Sequence, residues 1–476
     1  MVLKLYPNIC KVEGNYNEIK WIRELLTIDV PGAKYTKIYK QHRWDGKKRL
    51  FSWGNKSFPI GLVDYVVRNG NDKVKLDIQD FREFPKIDMS LPEMNIELRD
   101  YQKQAILDCL KYKNCIVQAA TNAGKTVIFA GVIKKIYPNP TIILIHRGEV
   151  LTQIKEMVES NTGLKVGIIT AKDVLIKPVT VAMVQTLLNR IGADQEITDF
   201  YESAKCVIVD EVHHNSANSH QTLLSSSRAV YRFGFSGTVP DEDTFKGMMT
   251  RCWIGSVVFN ISNDALISMG VSAKPKIFIS DIDSEDKLIG VFNDAKEELQ
   301  KISLTYTSAV LMKKVYELVM RKAIIHNDER NGRILEIAKS NTNKSILIVV
   351  DILDHGRLLE DLLNQNGVNA VFISGDSEIR ESALELFKLG KIKVLISTNI
   401  IDEGVDISRI EVLVMAAGKK SKRQLLQRVG RSLRRKEGEN VVKIFDFADY
   451  GNKYIENHSR ERLDIYKKEG FEIEFI

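Results

Sequence analysis

The sequence predicts an α/β protein: two parallel-sheet domains in tandem, a small α/β module ahead of them and a helical insertion between them. Three observations carry this. Short apolar strands alternate with helical segments over residues 115–237, and the alternation returns over 345–447, the pattern of a parallel sheet covered on both faces. The apolar run Cys115-Ile116-Val117-Gln118 passes at once into the small-residue turn Ala119-Ala120-Thr121-Asn122-Ala123-Gly124 and then Lys125-Thr126. Residues 85–92 have a proline at each end and little periodicity, which reads as a linker.

The resulting domains are 1–92 (front module), 93–270 (first sheet domain), 271–343 (linker and helical insertion) and 344–476 (second sheet domain with a C-terminal helix). In the front module, residues 3–12 read as a strand, 17–26 as a helix, 35–39 and 49–53 as strands, 62–67 as a helix and 73–78 as a strand. Its middle carries Lys34, Lys37, Lys40, Arg43, Lys47, Lys48 and Arg49 against one acid, Asp45, with Tyr35, Tyr39, Trp44 and Phe51 interleaved. Cationic side chains pair with phosphates and flat rings stack on bases, so Arg43, Trp44, Lys47, Lys48 and Arg49 are nucleic-acid candidates. A solvated basic hairpin with Trp44 in the core is the alternative. The first domain has strands at 115–118, 141–145, 166–169, 179–184, 206–209 and 231–235. The second has them at 345–350, 370–374, 394–397, 412–416 and 441–447, and residues 286–325 between the two series are mostly helical.

Composition narrows the function classes. With 44% apolar and 28% charged residues in 476, the chain can bury ample core. No apolar run approaches the ~20 residues that span a bilayer, so no membrane partner is expected. Five scattered cysteines without a C-x-x-C pair support neither disulfides nor a zinc site and fit a reducing cytoplasm. The N-terminus has neither a signal-peptide core nor a transit segment. A net charge of +7 is modest; it matters because it is concentrated in the front module and near residue 430.

The turn ending in Gly124-Lys125-Thr126 suits a polyphosphate. Backbone N–H groups of Thr121, Asn122, Ala123 and Gly124 can close around it, and a helix N-terminus follows. Lys125 would reach the β- and γ-phosphates of ATP, and the Thr126 hydroxyl would ligate Mg²⁺. Ala119 stands where the usual first glycine would be, and Asn122 where another glycine is common. About 85 residues on, the strand 206–209 delivers Asp210-Glu211-Val212-His213 at its C-terminal end, where open α/β sheets bind ligands. Asp210 can hold Mg²⁺ while Glu211 orients and polarises a water. His213 can relay the state of that site to Ser236-Gly237-Thr238 at the end of the next strand. Gln102, ahead of the loop, offers a donor and an acceptor to an adenine edge. In the second series Gln427, Arg431 and Arg434 share one helix face, from which guanidinium groups can neutralise charge on a γ-phosphoryl group.

Taken as an ordered set, Gln102, 119–126, 210–213, 236–238, 404–406 and 427–434 resemble the motifs of superfamily 2 helicases of the DExH type, over roughly residues 95–450. The resemblance implies two RecA-like domains with ATP and Mg²⁺ in the cleft and a nucleic-acid strand crossing both. It implies nucleotide-binding roles for Arg99, Gln102, Gly404 and Asp406 and arginine-finger roles for Arg431 and Arg434. Arg147 with Gln153, Gln185 with Thr186, and Thr398 fall at the strand-contacting positions. More narrowly, Trp44-Asp45-Gly46-Lys47-Lys48-Arg49-Leu50 and the following 58–63 are similar to the N-terminal domain of the UvsW group of bacteriophage helicases. That likeness implies forked or junction DNA as substrate, in replication, recombination or repair, and the host cytoplasm if the chain is phage-encoded. A duplex translocase, an RNA helicase and a non-enzymatic nucleic-acid scaffold are the alternatives. Residues 407–427 are too few for a core strand plus a long separation hairpin, so any wedge would come from Trp44 and its neighbours or from 239–253, with Trp253.

Overall fold

The structure, a computed structural model, describes residues 1–70, 74–146, 148–213, 218–302, 306–374, 379–398, 410–418 and 440–476. The chain divides into two units, Met1–Ile261 and Ser262–Ile476. The α/β expectation holds in each.

In the first unit, eight strands lie in the order Val174–Leu175, Val166–Ile169, Val179–Met183, Thr141–Ile145, Cys206–Asp210, Tyr231–Ser236, Asn114–Ala119, Val257–Ile261. All neighbours are parallel except the edge pair Val174–Leu175 with Val166–Ile169. The inner strands are apolar on both faces because helices cover both; every residue of Thr141–Ile145 is buried. The cover includes Asp100–Tyr112, Lys125–Ile136 and Leu151–Thr162. Ile142, Leu144, Val207 and Val209 centre one core cluster, each fully buried aliphatic contributing roughly 1.5–3 kcal/mol.

The front module forms a second, four-stranded sheet in the order Ser57–Pro59, Ile9–Glu13, Val2–Leu5, Asp77–Asp80. Its helix Tyr16–Leu25 starts at a capping box: the Asn15 side chain accepts from the Glu18 N–H at 3.0 Å, and Glu18 accepts from the Asn15 N–H at 2.8 Å. Ile19 and Ile22 face the core. The single strand expected at 3–12 is a hairpin, Val2–Leu5 against Ile9–Glu13. The strand expected at 35–39 is instead a 3₁₀ turn, Ala33–Tyr35, and a helical turn, Lys37–Lys40. Gly32, at φ +73°, turns the chain there, and Thr36 Oγ1 caps the second turn by accepting from the Tyr39 N–H. Of 33–40 only Ala33 is buried, so no apolar face exists to hold a strand.

The module is packed onto the first sheet's domain. Met248, Met249 and Cys252, from the helix Phe245–Arg251 and the residue after it, complete the module's core beside Phe51, Phe58 and Leu62. Gly61 donates its N–H to the Cys252 carbonyl at 2.9 Å, and a Cβ there would run into the Arg251 carbonyl oxygen. Arg68 binds Glu242 at 2.5 and 3.2 Å, and Asn8 donates to the Ser225 carbonyl at 2.7 Å. The linker is tied down within its span: Tyr231 donates to the Pro85 carbonyl at 3.4 Å, and Lys135 binds Asp88 at 3.0 Å.

Among its described residues, the second unit has seven parallel strands in the order Ala370–Ile373, Val394–Ser397, Ile346–Val349, Val412–Met415, Val441–Tyr450, Lys274–Asp283, Glu472–Phe475. The stretch read as linker and insertion, 271–343, thus opens with a strand: Lys274–Asp283 pairs with Val441–Tyr450 over its whole length. It ends in a helix, Asp328–Ser340, whose Ile334, Ile337 and Ala338 cover the second sheet. Between them, Val291–Ile302 and Ser308–Met320 pack together and onto the helix Lys453–Lys468 through Ile455 and the Tyr316–Tyr454 ring pair. The described residues of 286–325 are mostly helical, as expected. Lys274–Asp283 escaped notice because its partner lies some 170 residues later.

Candidate nucleotide-binding site and nucleic-acid surface

Parallel pairing puts the C-terminal ends of all six inner strands of the first sheet on one edge. Three neighbours, Asn114–Ala119, Tyr231–Ser236 and Cys206–Asp210, deliver the phosphate loop, Ser236-Gly237-Thr238 and Asp210-Glu211 side by side. Ser236 therefore stands between the loop and the acids.

The loop explains its own departures. Ala119 is fully buried at the end of the strand, where a Cβ is accommodated. Asn122 takes φ +75° and Gly124 φ +76°; Asn is among the few side chains that tolerate the left-handed region. At Gly124 a Cβ would also meet Gln102 Nε2 at 2.6 Å. Lys125 opens the helix Lys125–Ile136, so Thr121, Asn122, Gly124 and the half-buried Thr126 form a concave backbone turn at a helix N-terminus.

Lys125 Nζ lies 3.9 Å from Glu211 Oε1. The other carboxylate oxygen of Glu211 is 3.1 Å from His213 Nδ1 and 3.2 Å from Ser236 Oγ. Ser236 Oγ is in turn 2.8 Å from His213 Nδ1, donates to the Thr238 carbonyl at 2.8 Å and accepts from the Thr238 N–H at 3.3 Å. The expected group of His213, Ser236 and Thr238 is thus one hydrogen-bonded cluster around Glu211. Burial opposes ionisation of Glu211, but the Lys125 ammonium, and then His213 and Ser236, outweigh it and hold its carboxyl down at about 2. Glu211 itself sits at φ +51°, a strained conformation for a non-glycine residue and one that clusters at functional sites. Its N–H donates to Asp210 Oδ1 at 3.0 Å.

These donors fit a magnesium nucleotide. Mg²⁺ takes one or two protein oxygens and fills its octahedron from phosphates and water. Asp210 at a strand end and the Thr126 hydroxyl are such a pair, and among the described residues no cluster of three or more acids, histidines or cysteines is placed to hold a metal alone. All five cysteines are free and buried. Among the described residues, no helix is long and apolar enough to cross a membrane.

Gln102 departs from expectation. It is 3% exposed, its amide donates to the Ala123 carbonyl at 3.0 Å, and its Oε1 accepts from the Arg99 N–H at 3.0 Å. Both ends of the side chain are engaged within the protein, which makes it a brace for the loop. Tyr101, which sequence reasoning passed over, donates to the same carbonyl at 3.0 Å and accepts from Arg99 at 3.0 Å. An aromatic beside the glutamine gives no pattern by which to find it. Arg99 is exposed.

The other half of the edge belongs to Thr141–Ile145 and Val179–Met183, which pair in register up to Ile145 and Met183. Beyond them, Gln153 is half-buried in the first turn of Leu151–Thr162, and Gln185 is exposed beside Thr186 in Val184–Arg190. In the second unit Thr398 follows Val394–Ser397 and is half-buried. Arg147, His214, Gly404, Asp406, Gln427, Arg431 and Arg434 lie outside the described residues. In the front module Arg43, Lys47, Lys48 and Arg49 are exposed; Trp44 is half-buried and donates its indole N–H to the Lys47 carbonyl at 2.9 Å. Trp253 is no wedge. Its N–H donates to Gln221 at 2.8 Å, and its ring packs against the cores of both the first sheet and the module.

Two family matches fit this arrangement. Residues 95–241 match the family described as type III restriction enzyme, res subunit, and residues 320–436 match the helicase conserved C-terminal domain. The chain is a superfamily 2 helicase. As such it is an ATPase of a family that uses ATP, usually with Mg²⁺, and binds nucleic acid. This helicase resembles the ATP-dependent DNA helicase uvsW of Enterobacteria phage T4, at 22% identity over 96% of this chain and 95% of that protein. It is 27% identical to a Saccharomyces cerevisiae protein named as an ATP-dependent helicase, IRC3, over 74% of this chain and 51% of that one, and so spans about half the length of that relative. The solved Hef helicase domain of Pyrococcus furiosus shares its fold, with a TM-score of 0.52 at 14% identity over 78% of this chain and 98% of that domain.

Proposed function

We propose that this helicase acts on DNA and unwinds or branch-migrates forked and junction substrates at the expense of ATP. The observation that carries the reading is the cluster in which Lys125 faces Glu211, and Glu211 is held by His213 and Ser236, at the strand edge that also presents Gln153, Gln185 and Thr186. The front module adds support, because it is packed firmly on this domain and the similarity to uvsW runs through it.

In this reading Lys125 and the loop N–H groups bind the triphosphate, and Thr126 and Asp210 hold Mg²⁺, which neutralises charge on the phosphate oxygens. Glu211 orients the attacking water and accepts its proton. Phosphates compete with Glu211 for the Lys125 ammonium, and a Glu211 released from that ammonium becomes the stronger base. His213 and Ser236 keep the carboxylate aimed, and the Ser236–Thr238 hydrogen bonds pass the change to the segment that leads to the module. Arg431 and Arg434 supply further positive charge to the phosphates and Gln427 a neutral amide, as the resemblance implies.

Steady-state ATPase, measured without nucleic acid and with single strand, linear duplex, forked or four-way DNA and RNA, tests the proposal, with Lys125→Ala as blank. Greatest stimulation by branched DNA is expected. Equal stimulation by linear duplex or by RNA would overturn the branched-DNA reading in favour of a duplex translocase or an RNA helicase.

A further inference from the structure

The front module carries an aromatic and basic pocket of about 460 Å³ that lies apart from the motor motifs. Its walls follow from local structure. Spacings of four and three residues put Tyr16, Lys20 and Arg23 on one face of the helix Tyr16–Leu25. The antiparallel pair Thr27–Asp29 and Lys47–Arg49 puts Lys47 and Arg49, two residues apart, on one side. Trp53 stands at the head of a reverse turn closed by reciprocal Ser52–Ser57 hydrogen bonds of 2.8 and 3.2 Å, which lifts the ring out of the sheet.

The indole is oriented from several sides and still open. Buried Phe51 meets it edge-on at 6.2 Å, Tyr16 edge-on at 5.8 Å, and the Arg23 guanidinium lies 5.3 Å from its centroid. Trp53 keeps 42% of its surface exposed and Tyr16 66%. A held, open aromatic face costs hydration free energy unless something flat covers it. The rim chemistry selects what that is. Lys20, Arg23, Lys47 and Arg49 face Glu24 and Asp45, with Asp29 beside them, and all three acids are engaged: Asp45 by Arg49, Glu24 by Lys20 at 3.9 Å and Asp29 by Lys47 at 4.0 Å. The surplus is positive, so the ligand is flat and anionic.

We propose that this pocket stacks an unpaired base of single-stranded nucleic acid on Trp53, with the flanking phosphates on Lys20, Arg23 and Lys47. Bases within a duplex offer no free face, so the site takes a strand already separated, at the tail or arm of a branched substrate. The inference rests on the nucleic-acid reading above and adds to it a place for the unpaired strand. Trp44, half-buried and bonded to Lys47, props the hairpin that forms one wall.

The test uses the full chain and fluorescence anisotropy with labelled oligo-dT, oligo-rU, an abasic strand of the same length and blunt duplex. Wild type is expected to prefer oligo-dT to the abasic strand. Trp53→Ala is expected to remove that preference, weakening oligo-dT binding about tenfold or more, while Trp53→Phe retains it and affinity for the abasic strand changes little. Equal behaviour on oligo-rU supports the pocket and extends it to RNA. Unchanged oligo-dT binding in both Trp53→Ala and Tyr16→Ala would overturn the proposal, as would an equal loss on every substrate. A wild-type chain that binds none of these would overturn the nucleic-acid reading itself. Zero-length photocrosslinking of 4-thiothymidine strands to wild type is an independent check: label on the peptide holding Trp53 supports the site, and label found only elsewhere sinks it.

Discussion

The two sheets are alike in their apolar centres and differ in one charge cluster that each holds. In the first unit Lys125, Asp210 and Glu211 sit half-buried at the strand edge, with Glu211 and Asn122 in left-handed backbone. In the second, two arginine–aspartate pairs lie fully inside. Arg330 pairs with Asp449, and Arg462 pairs with Asp446 at 3.0 Å, all four at most 2% exposed. Tyr466 adds a hydrogen bond to Asp446 at 2.8 Å. Burial lowers the Arg330 pKa and raises that of Asp449, and each limits the other's shift. The guanidiniums also hold chain: Arg330 donates to the Ala416 carbonyl and Arg462 to those of Gly418 and Phe447. A strained, accessible charge cluster is placed to meet a ligand, whereas a buried and partnered one fixes the backbone leading to residue 419.

That contrast can be broken from either side. The largest effect expected is from Arg462→Met, which leaves buried Asp446 without its guanidinium partner and should cost about 3–5 kcal/mol. Urea unfolding should show it, and activity should fall only as the second unit unfolds. Next, Lys125→Ala and Glu211→Gln should each lower nucleic-acid-stimulated ATPase by about 10²–10³-fold, with melting temperatures near wild type. If Glu211→Gln destabilised the protein as much as Arg462→Met, the distinction would collapse.

Gly61→Ala tests the docking of the front module. Its Cβ would meet the Arg251 carbonyl, so about 1–3 kcal/mol of strain is expected, read as faster proteolysis of the linker at 85–92. Gly54→Ala, with nothing within 4 Å of the added carbon, should leave cleavage unchanged. The smallest effect is a pH dependence. Burial, more than neighbouring charge, pushes His220 down to about 4 in the first unit and His355 to about 3 in the second. Both fold neutral, so their contribution is complete above the ordinary pKa of 6.5 and is lost as pH falls from there through the folded values. Unfolding free energies from pH 7 to pH 4 should decline with at most two protons of slope from these groups. Glu211, held at about 2 against an ordinary 4.5, stabilises the fold fully above 4.5 and loses that contribution as pH falls from there toward 2.

Much of this was legible in the chain. Sheet strands were read to within a few residues wherever a continuous aliphatic run reported burial on both faces, as at Thr141–Ile145 and Cys206–Asp210. Gly124-Lys125-Thr126 and Asp210-Glu211 stood out as candidates because phosphate and metal chemistry calls for those types at strand ends, and the structure brings them to one sheet edge. The front module was read less well: its strands are short, and the segment at 33–40 has aromatic and basic residues but no apolar face, so propensity had nothing to act on.

The sequence by itself determined the fold class, the order of the motifs and the residue types at the reacting edge, because those depend on local periodicity and on chemistry carried by neighbouring residues. Tertiary structure decided which partners meet. It placed Ser236 between the loop and the acids, turned Gln102 inward to brace Ala123, gave Lys274–Asp283 a partner strand some 170 residues away and set Trp53 beside Tyr16 and Arg23. Each of these depends on a contact between segments distant in sequence or on the direction a side chain takes within a packed surface, and neither leaves a period or a spacing to read.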